Sequence, residues 1–392
     1  MSSANIRYHA LDSMRASMML MGIYLHVVVG YSGNGHWPYI DPHPTPVLDF
    51  TLGIIHAFRM PAFYVMAGFF GALLWNGRGA AAFVSNRTKR ILLPFALFWP
   101  LLFVVVAAMV ISLEKGTQFI WPAFAGGAVW GRVHPLHLWF LEYLLMLYAI
   151  GGLVAWTSEW WPGGWMERIL AAYRWALQRW YAPALFALFS WVQLAAMRGN
   201  LKDCDGFMPE LPILAAYIPP FAFGWLLYHH RDLLDRFRQH IWLYLVVGVP
   251  AFLVYGLVPG GTYPFVKAAG NVLFCWLMTF ACIGLFLKYC SGASARWRYM
   301  SDASYWLFIV HMPVVVGLQV LLLPLPLPAL AKVPIVLAAA VGLLLVTYDV
   351  MVRPTWIGAL LNGRRYPRGL VQVRREDEAK PGRQTCESPS TP

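Results

Sequence analysis

Apolar residues run along this chain in long stretches separated by short polar connections. Crossing a bilayer takes roughly 20 mostly apolar residues wound as a helix, because hydrocarbon offers the backbone no water to bond to. About ten stretches meet that need: 14–31, 47–75, 91–113, 137–156, 183–197, 211–228, 241–257, 265–287, 303–323 and 330–351. The fifth is short and lies beside Trp and Tyr that suit an interface. The pattern predicts an all-α integral membrane protein, a bundle of about ten transmembrane helices spanning residues 1–361, followed by a polar tail over 362–392 that carries no apolar periodicity and is expected to be disordered.

The connections set the expected orientation, because Lys and Arg collect on the cytoplasmic side. Arg7, then Arg78, Arg87, Lys89 and Arg90, then Arg168, Arg174 and Arg179, then Arg231, Arg236 and Arg238, then Lys288, Arg296 and Arg298, and finally the basic tail fall in alternate connections. The intervening ones hold only Lys115, Arg132, Arg198, Lys202, Lys267 and Lys332. Both termini are therefore expected in the cytoplasm, which requires an even number of crossings.

Composition agrees: 59% of the 392 residues are apolar and only 12% charged, with a mean hydropathy of +0.56. The net charge of +12 is spread over those connections and makes no single patch, so topology explains it better than nucleic-acid binding does. The five cysteines, Cys204, Cys275, Cys282, Cys290 and Cys386, form no disulfide framework and read as packing residues. The first apolar run follows Asp12 and Arg15 directly and lacks a small-x-small cleavage site, so it is expected to stay as a helix. No internal repeat or matched pair of broken helices points to a transporter. Connections are short, and any chemistry must come from the bundle.

Ionisable groups inside apolar helices are costly and are by default candidates for function. Arg15 and His26 are eleven residues apart, so both project from one helix face, with His26 roughly 16 Å further along. Asp12, three residues before Arg15, offers the guanidinium an anion, and Gly22 leaves a gap on the same face. His26 then reads either as a functional imidazole or as a core histidine bonded to a neighbouring helix. The second stretch brings His56 and Arg59 to about the same depth. Arg59 is open to three readings: a like charge that keeps the imidazole in the neutral form a general base needs, an electrophile for an oxyanion, or the partner of a buried carboxylate such as Glu142. Arg87 and Arg90, one turn apart, form a fork suited to phosphate. His137 and Glu142 open the fourth stretch and His311 lies in the ninth, but no two histidines show a recognised metal spacing, so no metal is expected. Phosphate-loop, zinc-protease and dinucleotide signatures are missing.

Taken in order, "LDSMRASMMLMGIYLHVVVGYS", "HAFRMPAFYVMAGFF", "NRTKRILLP", "HLWFLEYLL" and "SYWLFIVHMP" resemble the motifs of the family-3 transmembrane acyltransferases, whose mark is an arginine and a histidine with ten residues between them, here Arg15 and His26. The resemblance runs from about residue 7 to residue 351, and the wording of "LDS", "HAFRM" and "HLWFL" is closest to a branch that succinylates periplasmic glucans. It implies a multi-pass enzyme of the inner membrane with no bound cofactor, which takes an acetyl or succinyl group from cytoplasmic acyl-coenzyme A, its co-substrate, and places it on a carbohydrate hydroxyl outside. By the same resemblance His26 is the catalytic base, Arg15, held by Asp12, orients the donor side, and Arg87 and Arg90 grip the donor's phosphates. His56, Arg59, His137, Glu142 and His311 would line the site. No soluble hydrolase-like domain is appended, so an acceptor that needs one is not expected. The competing reading is a transporter for an acidic or sugar-like solute, using Arg15, His26 and Arg59 as binding and proton-relay groups.

Overall fold

The structure is a computed structural model that describes residues 8–33, 37–201, 204 and 206–368. Among the described residues there are thirteen α-helices and no strand, in line with the all-α expectation. The first is α1 (His9–Val29), followed by α2 (Pro46–Arg87) and α3 (Leu93–Lys115). The short α4 (Ile120–Ala125) precedes α5 (Trp139–Thr157), α6 (Trp165–Leu177), α7 (Ala182–Ala196) and α8 (Leu211–His229). The rest are α9 (Ile241–Leu257), α10 (Pro264–Tyr289), α11 (Ala295–Leu321), α12 (Ala329–Thr347) and α13 (Trp356–Asn362).

Each of the ten apolar stretches lies on a helix, but only six helical segments are both long and apolar enough to cross a membrane, or seven if the 3-10 turn Arg231–Arg238 and α9, bent by 71°, count as one. Four features separate ten from six. Asp12, Arg15 and His26 lower the hydropathy of α1, and the 15 residues of α7 make it about 22 Å long, short of a 30 Å core. The bend interrupts α9, and the second and third stretches lie in one continuous helical run, Pro46–Lys115, which is counted once although it folds back at Gly79.

That segment is not straight. Gly79 has φ 79° and ψ 172°, a conformation that costs a glycine little and a residue with a Cβ much. Past it the chain doubles back: Phe83 packs edge-on to Trp75, 5.3 Å between ring centres, and Arg87 donates to the Phe70 carbonyl at 3.3 Å. Seventeen residues of straight helix would separate those two by about 25 Å. A π turn, Thr88–Leu92, then leads into α3.

α1 packs against α2, α10, α11 and α12 and buries most of its length, which keeps its polar side chains away from lipid. α2 and α8 touch backbone to backbone. A Cβ on Gly68 would fall 2.0 Å from the Phe221 carbonyl oxygen, and one on Gly224 would fall 1.8 Å from that of Val65. Small residues allow this approach where burial of apolar surface gives helices no reason to associate. Large apolar side chains on the outside of α3 and α9, such as Leu101, Val246 and Val249, are exposed and suit contact with lipid.

The tail starts as packed structure. The backbone N–H of Tyr366 donates to the Arg353 carbonyl at 2.9 Å, and the Tyr366 ring is buried over the Arg353 guanidinium. The rest of the tail, 369–392, and Arg7 lie outside the described residues.

Candidate functional site

Three histidines that are far apart in sequence meet at one end of α1. The ring centre of His26 is 4.9 Å from that of His311 and 6.2 Å from that of His137, and the last two are 4.7 Å apart. Local chemistry on α11 draws His137 in. Pro313 has no N–H, so the Ile309 carbonyl one turn earlier loses its ladder partner. The Nε2 of His137, in the 3-10 turn Leu136–Leu138 just ahead of α5, lies 3.0 Å from that oxygen and 3.1 Å from the Phe308 oxygen. The Nδ1 of His311 reaches the same Phe308 oxygen at 2.6 Å. A carbonyl only accepts, so these nitrogens carry the protons.

Arg59 and His56 lie within electrostatic reach of His26. The gap at Gly22, read from the sequence as lying beside Arg15, is filled instead by Arg59: a Cβ on Gly22 would sit 2.8 Å from its Nη1. Helix geometry explains the change, because Gly22 is one turn from His26 and two turns from Arg15. Glu142 makes no ion pair among the described residues, and its buried Oε2 has no hydrogen-bond partner there, so the Arg59–Glu142 lock is not formed.

At the other end of α1, Arg15 lies 3.3 Å from Asp12, donates to Ser301 at 3.1 Å and sits over the Phe70 ring at 5.5 Å. Arg87, half-buried, stacks on Tyr148 at 4.0 Å, while Arg90 reaches the Leu361 carbonyl at 3.5 Å. The π turn Thr88–Leu92 begins just after Arg87 and holds Arg90, and the two guanidiniums bond different carbonyls, those of Phe70 and Leu361. Both still lie within electrostatic reach of Arg15. Among the described residues the Nε groups of Arg15 and Arg87 are buried donors without an acceptor. Such a set is arranged for an anion.

Comparison with known proteins decides the family. The match to the family described as "Acyltransferase domain", family 3, covers residues 8–351. The chain belongs to it, and it is an acyltransferase. It is also similar to proteins named glucans biosynthesis protein C from Salmonella agona, Salmonella paratyphi A and Salmonella enteritidis, each 26% identical over 376 residues, 91% of this chain and 95% of theirs. No solved structure matches.

In this acyltransferase two residues that the sequence reading passed over hold the His26 end together. Trp37 stacks on His26, 5.0 Å between centres and 27° between planes. Gln319, fully buried on α11, accepts from the Trp37 indole at 2.7 Å and donates to the Val27 carbonyl at 2.9 Å. A glutamine within an apolar helix is itself a signal of this kind; Trp37 lies in a connection and carried none. The segment bearing Trp37 is tied down by a buried ion pair, Lys332 to Asp41 at 2.8 Å, and Tyr39 donates to the same carboxylate at 3.0 Å. Burial alone would raise the Asp41 pKa, but the Lys332 ammonium, the His43 N–H and the Tyr39 hydroxyl hold it below the usual carboxylate value.

As acyltransferase residues, the predicted ones divide into two groups. His26, His56, Arg59, His137 and His311 gather at one end of α1, and Asp12, Arg15, Arg87 and Arg90 at the other. Glu142, on the first turn of α5, joins neither group through an ion pair. Two of the three clustered imidazoles already spend a nitrogen on a backbone carbonyl, and no group of His, Cys, Asp or Glu among the described residues is arranged to hold a metal.

Proposed function

We propose that this enzyme sits in the inner membrane as about ten crossings with both termini in the cytoplasm, and moves an acetyl or succinyl group from cytoplasmic acyl-coenzyme A to a hydroxyl of a carbohydrate outside, such as a periplasmic glucan. The observation that carries the reading is the division of α1. A cationic cluster with unsatisfied donors stands at one end and an imidazole cluster about 16 Å away at the other, a separation that an extended pantetheine arm spans. The names of the Salmonella relatives support the glucan acceptor.

The donor's phosphates bind Arg15, Arg87 and Arg90, with Asp12 and Ser301 orienting Arg15. The arm runs along α1 and places the thioester beside His26. His26 takes the proton from the carbohydrate hydroxyl, whose oxygen attacks the thioester carbonyl. The oxyanion faces Arg59, the cation held in the Gly22 gap. Collapse breaks the carbon–sulfur bond, and the thiolate leaves with the proton from His26. The products are a carbohydrate ester and free coenzyme A.

The test is release of free coenzyme A by purified protein in vesicles given acetyl- or succinyl-coenzyme A and periplasmic glucan, with wild type beside His26→Ala. Release that requires both His26 and glucan is the expected result. Equal release by the variant would remove His26 as the base, and no turnover with either donor would remove the donor assignment.

A further inference from the structure

His311 and His137 each bring one lone-pair nitrogen to the cluster around His26. In the neutral ring one nitrogen holds a proton and the other a lone pair. The Nδ1 proton of His311 is directed to the Phe308 carbonyl, so its Nε2 carries the lone pair; the Nε2 proton of His137 is directed to Ile309 and Phe308, so its Nδ1 does. Both of those lone-pair nitrogens are buried and have no partner among the described residues, and so is the Nδ1 of His26. His26 as a residue is nonetheless only half-buried.

We infer that His26 is held as its Nδ1–H tautomer by the lone pairs of His311 and His137, so that its Nε2 takes the proton from the acceptor hydroxyl, with His311 as a positioning residue. The opposite tautomer would leave each of the three rings with a buried lone pair on a nitrogen without a partner, and no histidine N–H among those nitrogens to share. With the proton on Nδ1, the cluster holds one donor for two acceptors, and the nearer ring is 4.9 Å away centre to centre. The Trp37 indole N–H is already spent on Gln319, and Arg59 has no lone pair to offer. When Nε2 accepts the hydroxyl proton, the ring becomes a cation whose Nδ1–H is steadied by the His311 lone pair. Nε2 then returns its proton to the departing thiolate, and the tautomer is restored.

This inference rests on the proposed acyl transfer for its consequence, and its test has a readout that does not. Full-length enzyme carrying ring-15N histidine is observed by NMR in lipid nanodiscs, and the His26 signals are assigned by their loss in His26→Ala. A protonated Nδ1 and a bare Nε2 are expected; the reverse pattern, or an average of the two, overturns the assignment. Turnover is then compared in His311→Leu and His311→Gln. Leucine cannot accept a hydrogen bond and is expected to lower kcat by about 10²-fold with the KM for donor unchanged, while the amide oxygen of glutamine restores most of it. Full activity in the leucine variant, or equal loss in both, would overturn the positioning role. If His311→Leu does not fold, the wild-type spectrum still decides the tautomer. If no donor is turned over, acyl transfer by this route falls and the spectrum still reads the His26 proton.

Discussion

The Nε2 of His137 lies 3.0 Å from the Ile309 carbonyl, the one carbonyl of α11 that Pro313 deprives of its ladder bond. A sequence defect in one helix is thereby repaired by a side chain from outside it, and the repair fixes which nitrogen of His137 carries the proton. His137→Ala leaves that oxygen unsatisfied and is expected to cost about 1–3 kcal/mol. Pro313→Ala returns an N–H to Ile309, so the loss from His137→Ala should shrink in that background. Equal losses in the two backgrounds, measured by thermal unfolding of the four proteins in one detergent, would show that the bond is not what His137 contributes.

Gly22→Ala tests the placement of Arg59. The added methyl carbon falls 2.8 Å from the guanidinium, which must move away from α1. The expected result is a fall in kcat toward that of Arg59→Gln, itself about 10²-fold down if the cation stabilises the oxyanion, with little change in melting temperature. A Gly22→Ala enzyme with wild-type kcat would mean that the position of Arg59 does not govern the rate.

The Asp41–Lys332 pair should make stability depend on acid. Burial pushes the Asp41 pKa up, but Lys332, His43 and Tyr39 outweigh it and hold the carboxylate below its ordinary value. A lowered folded pKa gives stability that is fully present above the unfolded value of about 3.9 and is lost as pH falls below it through the folded value. Lys332→Met strands a buried carboxylate and is expected to cost about 3–5 kcal/mol at neutral pH, whereas pairing it with Asp41→Leu should recover most of that. Melting temperatures from pH 7 down to pH 3 would check both parts: the acid-side loss should be clear in wild type and absent from the double variant.

Gln319→Leu removes the acceptor for Trp37 and the donor to Val27 together. A loss of about 1–3 kcal/mol is expected from the unpaired groups, along with a lower kcat as Trp37 leaves the His26 ring. Gln319→Glu keeps the acceptor for the indole and should retain more of the rate than leucine does. Steady-state kinetics of the two variants side by side separate these outcomes.

Arg90→Ala should weaken coenzyme A binding by about 10-fold or more, the worth of one charge-assisted contact, without a large stability loss, since Arg90 is only half-buried and makes one long bond to Leu361. Arg87→Ala should weaken binding and also destabilise, because that guanidinium stacks on Tyr148 and bonds Phe70. Titration calorimetry with coenzyme A checks both, and unchanged affinity in the double variant would refute the phosphate role.

By itself the sequence determined the helices, because roughly 20-residue apolar runs leave the backbone no alternative in lipid. It also determined the pairing of Arg15 with Asp12, since an i, i+3 contact is local to one helix. Order along the chain sufficed for the five motifs that resemble the family. Tertiary structure alone decided what depends on contact between helices. Gly79 folds the run that holds two predicted helices back on itself, and packing gives Arg87 and Arg90 different carbonyl partners. The Gly22 gap went to Arg59, from α2, because a gap is filled by whichever neighbouring helix packs there. His26, His137 and His311 come from helices far apart in sequence, and no spacing rule predicts that their rings meet. Periodicity tells which face of a helix is polar; only packing tells which other polar face it meets.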